Sequence, residues 1–481
     1  MQEMADWLAV PSESWRELGE ASKIFTTRSR LAFSWRQPML RMALSLMMLT
    51  GPVAWLTAAD FETEKLANWH HWRGPHATGT SPTANPPLKW DADTNIKWKV
   101  DLPGKGSATP IVWGNRVFVL TAVKTDRLAT DAELPRPDPR FPVKTEPPRH
   151  FYKFLVLCFD RQTGKLLWEK LAAERVPHEG HHETHSYAAG SPTTDGQHLY
   201  VSFGSFGTYC YDFDGNLKWS RDLGPLHTRL GWGEAVTPVI AGDSLLINYD
   251  QEADSALYCL DAATGKDRWV ARHDEKTSWN TPLVVDYKGQ TQVIVNGNVR
   301  IRSYDLKTGK LIWACGGMTV NPIPSPIPYG DAVICMSGYK GNVALSIPLS
   351  SRGDLGNNPM VNWRHGSGTP YVPSAALVGD RLYFTALNEN LLTVLNAKTG
   401  EPLVDRERLP QVRSFYASPV AAAGRLYFTD RSGTTVVLKA GNSVEVLAVN
   451  KLDDPIDASP VPVGNQLFLR SHGRLYCIEA K

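Results

Sequence analysis

The sequence predicts an all-β fold: an eight-bladed β-propeller of four-stranded blades. Three observations carry it. A small-residue–Pro step recurs at Thr109-Pro110, Ser191-Pro192, Thr237-Pro238, Thr281-Pro282, Ser325-Pro326, Ser418-Pro419 and Ser459-Pro460, mostly 41–48 residues apart. After most steps comes a short apolar stretch, a Gly-polar turn and a β-rich run, as in Gly114-Asn115 before RVFVL and Gly379-Asp380 before RLYFT. An Asp-turn-Trp element then closes the repeat: DRQTGKLLW at 160–168, DAATGKDRW at 261–269 and DLKTGKLIW at 305–313. A period of about 40–50 residues is that of propeller blades.

Each repeat reads from the axis outward. The Gly-polar pair makes a tight hairpin between strands one and two. A third strand follows, such as Tyr258-Cys259-Leu260-Asp261, and the Gly of the next turn supplies positive φ. The fourth strand carries the Trp. Trp follows Asp by eight positions in three copies and by seven in DFDGNLKW at 212–219, whose turn is shorter. The blade tryptophans Trp98, Trp168, Trp219, Trp269, Trp313 and Trp363 are read as structural, burying large rings between neighbouring blades. Repeats six and seven place Leu403 and Val446 in that region, and the sixth step is altered to Pro373-Ser374. The last repeat, 457–479, has three strands; NIKWKV at 95–100 supplies the fourth and closes the ring, removing an open edge.

The 481 residues therefore divide into three parts: an N-terminal extension plus signal peptide at 1–59, a lead-in at 60–94, and the propeller at 95–481. The apolar run at 42–58 follows Arg36 and Arg41. Thr57 and Ala59 are small residues at −3 and −1 of a cut before Asp60. This pattern predicts a cleaved signal peptide and export to the periplasm or beyond, with Met39 as the alternative start. A retained membrane span is not expected, because Gly51-Pro52 interrupts a run barely long enough to cross. Without residues 1–59 the balance is 45 basic to 44 acidic residues. With no basic run, that argues against a nucleic-acid partner. A monomer is expected.

Cys158, Cys210, Cys259 and Cys477 occupy one repeat position, on strand three. They are read as small buried core residues, too far apart to bridge. Cys315 and Cys335 are left as a candidate pair.

The Asp-xx-TGK-xx-Trp and Ser/Thr-Pro elements resemble the PQQ-like, or quinoprotein alcohol dehydrogenase-like, β-propeller repeat family over residues 68–480. WHHWRGPHATGTSP at 69–82, HETHSYAAGSP and DLGPLHTRLGWG at 222–233 are similar to segments of exported bacterial propeller proteins. The resemblance implies the fold and leaves activity open, because the same propeller hosts PQQ dehydrogenases and a lipoprotein of the outer-membrane barrel-assembly machine. PQQ enzymes of this fold hold Ca²⁺ and quinone with a Glu–Asn–Asp set, many under a vicinal disulfide. This sequence has no Cys-Cys pair, and no Asp aligns as their general base.

Two long loops map to one face. A Pro-rich insert at about 123–152 lies between strands two and three of blade one, and the His-rich loop 172–190 enters blade two. Insertions on one face mark a binding face. The candidate ligand-binding residues there are His182, Glu183, His185, Arg229, Trp232, Glu234, Asn280 and Asn321. Trp279, Tyr371, Tyr416 and Asp457 stand at further blade entries. His178, His181, His182 and His185 are the metal candidates, imidazole suiting Zn, Cu, Fe or Ni. The expected function is an exported, non-catalytic binding or scaffold propeller for a protein, peptide or glycan. The alternative is a PQQ-dependent or divalent-metal-dependent oxidoreductase. No catalytic residue is assigned, and no cofactor is required.

Overall fold

The computed structural model describes residues 58–136 and 138–480. The apolar run up to Thr57 and the Met39 start lie outside the described residues. Among those described, no helix is long and apolar enough to cross a membrane.

Eight antiparallel sheets follow the predicted blade order. Blade one is Ile111–Trp113, Arg116–Leu128, His150–Asp160 and Leu166–Arg175. Blade eight is Val461–Val463, Gln466–Arg470 and Arg474–Glu479, with Ile96–Asp101 as its outer strand. The closing strand pairs Trp98 with Cys477 and Val100 with Leu475. Two blades gain a parallel fifth strand: Gly353–Asp354 beside Leu311–Cys315, and Thr80–Ser81 beside Val420–Ala422.

The Asp-turn-Trp element joins blades. Asp160 accepts the Thr163 amide and hydroxyl, both at 2.8 Å, which sets the turn that puts Gly164 at φ +72°. Gly164 lies on the ring of Trp98 from the preceding blade, where a Cβ would come within 2.7 Å of it. Trp98 Nε1 then donates to the Arg161 carbonyl at 2.9 Å. The same lock joins Trp168 to Phe213, Trp219 to Ala262, Trp269 to Leu306 and Trp363 to Ala397. Trp313 departs from it. It is fully buried, but the blade that follows turns through Pro348-Leu349-Ser350 in place of Thr-Gly, so its Nε1 donates to Gln292 of its own blade.

Strand pairing explains the repeated cysteines. Cys158, Cys210, Cys259 and Cys477 lie opposite Trp168, Trp219, Trp269 and Trp98. All six cysteines are buried free thiols, Cys315 and Cys335 included. The candidate bridge is not formed.

The Ser/Thr-Pro step has its cause at the axis. There, in most blades, the backbone amide of the step donates to the hydroxyl of the next blade's step. Thr109 donates to Ser191, Ser191 to Thr237, Thr281 to Ser325, Ser325 to Ser374, Ser374 to Ser418 and Ser418 to Ser459, at 2.9–3.0 Å. Buried amides need such partners, and a proline at the following position has no N–H to satisfy. The altered copy keeps the rule, because Ser374 supplies the sixth hydroxyl.

The lead-in fills the channel. After a short helix, Ala58–Glu64, Trp69 forms a two-way backbone bridge with Val112 of blade one. The His70 carbonyl accepts from Thr193 and Thr194 of blade two. Arg73, 2% exposed, donates to the Ala375 and Pro419 carbonyls of blades six and seven at 2.9 and 3.0 Å. Thr78 and Thr80 bond to Leu377. Residues 69–81 therefore contact the inner strands of four blades and plug the bore. Residues beyond them cross blades seven and eight, where Trp90 packs near Tyr427 and its amide donates to Asn450.

Candidate functional site

The plug turns the mouth of the ring into a closed-bottomed pocket of about 370 Å³. Trp72 forms part of its base, beside the axial hydroxyls Thr109, Ser191, Thr237, Thr281 and Ser459. Its aromatic walls come from separate blade entries and one hairpin loop: Trp232, Trp279, Tyr371, Tyr416 and Tyr339. His182, Thr184 and His185 come from the His-rich loop. The size and mixture suit a small ligand or an inserted side chain.

Hydrogen bonds hold the wall in shape. The His182 amide donates to the Trp232 carbonyl at 3.0 Å, and Trp279 Nε1 donates to the Gly233 carbonyl at 2.8 Å. The Thr184 and Tyr416 hydroxyls lie 3.1 Å apart. Burial pushes the His185 imidazole down to about 4, so it is neutral at physiological pH. The carboxylate in the lining, Asp457, is ion-paired with Arg431 at 2.7 Å and hydrogen-bonded to His472 at 2.9 Å. Its carboxyl lies below the usual range, although burial opposes that, because His472 and Arg431 hydrogen-bond and attract the charged form. Arg431 also sits over the Tyr416 ring, 4.1 Å from its centroid.

The insert packs on the same side. Its strands run out to Leu128 and back from His150, leaving a loop of residues 129–149. The Lys144 amide donates to the Leu230 carbonyl at 2.9 Å, and the Thr145 hydroxyl to the Gly231 carbonyl at 2.6 Å. Phe141 stacks on His227, with centroids 4.6 Å apart. The insert thus rests on the 222–233 loop, which carries Trp232.

Of the eight candidate ligand residues, His182, His185 and Trp232 reach the pocket, as do Trp279, Tyr371, Tyr416 and Asp457. Glu183 is exposed outside the lining. Glu234 and Asn280 serve the scaffold. Glu234 accepts the Ser205 amide and hydroxyl, each at 2.7 Å. Asn280 bonds Ser278 and both backbone groups of Asn296. The Arg229 amide donates to the Thr277 hydroxyl, and its Nε is buried without a partner among the described residues. Asn321 is buried at φ +57° and its side chain lies against the Tyr371 hydroxyl of the pocket wall. Asn280 is a polar residue at a blade entry that turns into the ring rather than into the pocket.

The four metal-candidate histidines do not converge. His181 sets its ring edge on Tyr187, and its Nδ1 lies 2.7 Å from the His182 carbonyl. His182 and His185 face the pocket. His178 alone joins a group of metal-ligating type, with Glu179 and His227. Sequence reading overlooked Trp72, Tyr339, Glu179 and His227. The Trp-Arg-Gly opening and the DLGPLHTRLGWG segment were the available signals for Trp72 and His227.

Fold and site define a PQQ-like β-propeller with a plugged axial pocket. The family model described as outer membrane protein assembly factor BamB matches residues 153–403, and the chain belongs to this family. A search of the curated proteins gives no match. Among solved structures, quinohemoprotein alcohol dehydrogenase from Comamonas testosteroni is similar at TM-score 0.59 and 11% identity, over 88% of this chain and 83% of that one. Sqt1 from Saccharomyces cerevisiae is similar at TM-score 0.50 and 9% identity, over 83% and 99%. BamB from Moraxella catarrhalis has TM-score 0.48 and 13% identity, over 75% and 100%. At these identities the likeness is one of fold.

The pocket does not fit PQQ. That cofactor brings three carboxylates, and among the described residues the lining holds no Lys or Arg to meet them. Asp457 is engaged by Arg431 and His472. The nearby Glu234 and Asn280 are spent on Ser205, Ser278 and Asn296, so among the described residues no Glu–Asn–Asp set faces the cavity.

Proposed function

We propose that this chain is an exported, monomeric and non-catalytic propeller that binds a polypeptide on its insert-bearing face. An apolar or aromatic side chain of the ligand is seated in the axial pocket. One observation carries the reading: a cavity of about 370 Å³ walled by Trp232, Trp279, Tyr339, Tyr371 and Tyr416 opens on the face that carries the insert. Aromatic residues in a desolvated pocket are the usual anchors of protein interfaces. The family's description, an outer membrane protein assembly factor, adds support for a protein partner and for a place at the cell envelope.

The experiment probes peptide and glycan arrays with the purified protein and follows hits by titration calorimetry. Peptides with aromatic or large apolar residues should bind. Trp232→Ala and Trp279→Ala should each weaken binding at least about tenfold, as hot-spot truncations do, with the melting curve little changed. Capture of glycans alone, or binding unaffected by both variants, would overturn the proposal.

A further inference from the structure

Beneath the insert, away from the pocket lining, lies a second polar centre. Glu179 is buried, and one of its carboxylate oxygens accepts the Thr228 amide at 3.1 Å and hydroxyl at 2.8 Å. The other faces Nδ1 of His227 at 3.3 Å. His178 completes the group: one ligand atom from each of the three residues lies within 4.8 Å of the other two. His178 and Glu179, without His227, also line a separate cavity of about 20 Å³, bordered by Glu234. That is room for one water or one ion.

Two details point to a cation. A charge-assisted hydrogen bond between imidazolium and carboxylate closes to about 2.7–2.9 Å. The observed 3.3 Å is long for that. It matches the edge of a tetrahedron with metal–ligand bonds of about 2.0 Å, which is about 3.3 Å. The remaining separations would close by at most about 1.5 Å to reach the same edge. In addition, His178 Nε2 lies 3.2 Å from the Leu226 carbonyl. Donation there leaves the Nδ1 lone pair free, the arrangement that fixes the tautomer of metal-bound histidines.

We propose that His178, Glu179 and His227 bind one divalent transition-metal ion of the Zn²⁺ type. Two imidazoles and a carboxylate supply three positions and water the fourth. The ion ties the His-rich loop of blade two to the 222–233 loop of blade three. Phe141 of the insert, stacked on His227, is held through that ligand. The role is structural: the metal anchors the insert over the face. It is independent of the polypeptide reading, because none of the three ligands lines the axial pocket.

The test uses untagged protein stripped with chelator, then titrated with Zn²⁺ by calorimetry and with Co²⁺ by visible absorption. One equivalent of Zn²⁺ should bind, and Co²⁺ should give the intense d–d bands of a tetrahedral site. His178→Ala and His227→Gln should each lose binding at least about tenfold, more than the loss of an outer-shell partner. His182→Ala/His185→Ala should keep it. Circular dichroism checks folding, and Glu179→Gln, close in shape to the original side chain, replaces any variant that fails to fold. Three results would overturn the site: no binding above the His178→Ala/His227→Gln background, an octahedral Co²⁺ spectrum, or loss confined to the His182/His185 variant. The first would mean that a His–Glu hydrogen bond is all the cluster provides.

Discussion

The Ser459 amide donates to the hydroxyl of Thr109 at 3.0 Å, linking the last blade to the first. Both residues are buried, at 3% and 2% exposure. This bond joins the hub at the seam between the last and first blades, beside the strand pairing of Ile96–Asp101 with Arg474–Glu479. The seam thus carries a velcro strand at the rim and a hydroxyl latch at the hub.

Thr109→Val keeps the shape and removes the acceptor, leaving the Ser459 amide buried and unpaired. Such an orphan costs about 1–3 kcal/mol. Denaturant unfolding should show that loss for Thr109→Val and near-native stability for Thr109→Ser. Equal stability of all three proteins would mean that the latch contributes nothing.

The lock between Trp219 and Gly265 predicts a contrast between two glycines. Gly242 has φ +59° with open space around it, so Gly242→Ala meets backbone strain alone, about 1–2 kcal/mol. Gly265 has φ +69°, and a Cβ there would stand 2.6 Å from the Trp219 ring. Gly265→Ala should therefore cost about 1–3 kcal/mol more, the usual range for overpacking. Matching midpoints in urea would refute the role given to the Asp-turn-Trp motif.

Burial governs the thiols. It pushes Cys158, Cys210, Cys315 and Cys477 up to about 12 and Cys259 to about 11. A buried, protonated thiol is a poor nucleophile. Iodoacetamide should leave the native protein unlabelled at neutral pH. After unfolding without reductant, mass spectrometry should find six labels, one for each cysteine in the sequence. Four labels would reveal a disulfide, and labels on the native protein would contradict the packing.

The blades were legible because their motifs solve the same local problems in most of the blades. The Ser/Thr hydroxyl satisfies an axial amide, and the turn glycine admits the neighbouring Trp. Where one blade departs from the repeat, legibility fails. Trp313 carries the motif, yet its donor stays within its own blade because the following turn lacks Thr-Gly. The pocket mouth was partly legible, since Trp232, Trp279, Tyr371 and Tyr416 stand at blade entries. Its base was not: Trp72 arrives from a lead-in outside the period. Glu179 and His227 are 48 positions apart, and only the packing of two loops brings them together. Glu234 and Asn280 show the opposite error, because residue type alone cannot separate a group that faces a ligand from one that braces a loop.

Glu234 supplies a pH-dependent prediction. Burial raises its carboxyl from 4.5 to about 8, against the lowering effect of the Ser205 bonds and with a further push from Glu179. Below about pH 4.5 the folded and unfolded chains both hold this proton, and its contribution to stability is fully present. As pH rises the unfolded chain releases the proton while the folded chain keeps it. Stability falls by up to about 1.4 kcal/mol per pH unit until the folded group ionises near pH 8. Glu234→Gln holds a neutral side chain at every pH; its carbonyl can accept the Ser205 amide while its NH₂ donates to the Ser205 hydroxyl. Urea unfolding of the chelator-stripped protein between about pH 5 and about pH 8 should therefore show a shallower decline for the variant than for the parent. Parallel curves would mean that Glu234 is ionised in the native protein and that the cavity it shares with Glu179 holds a compensating charge.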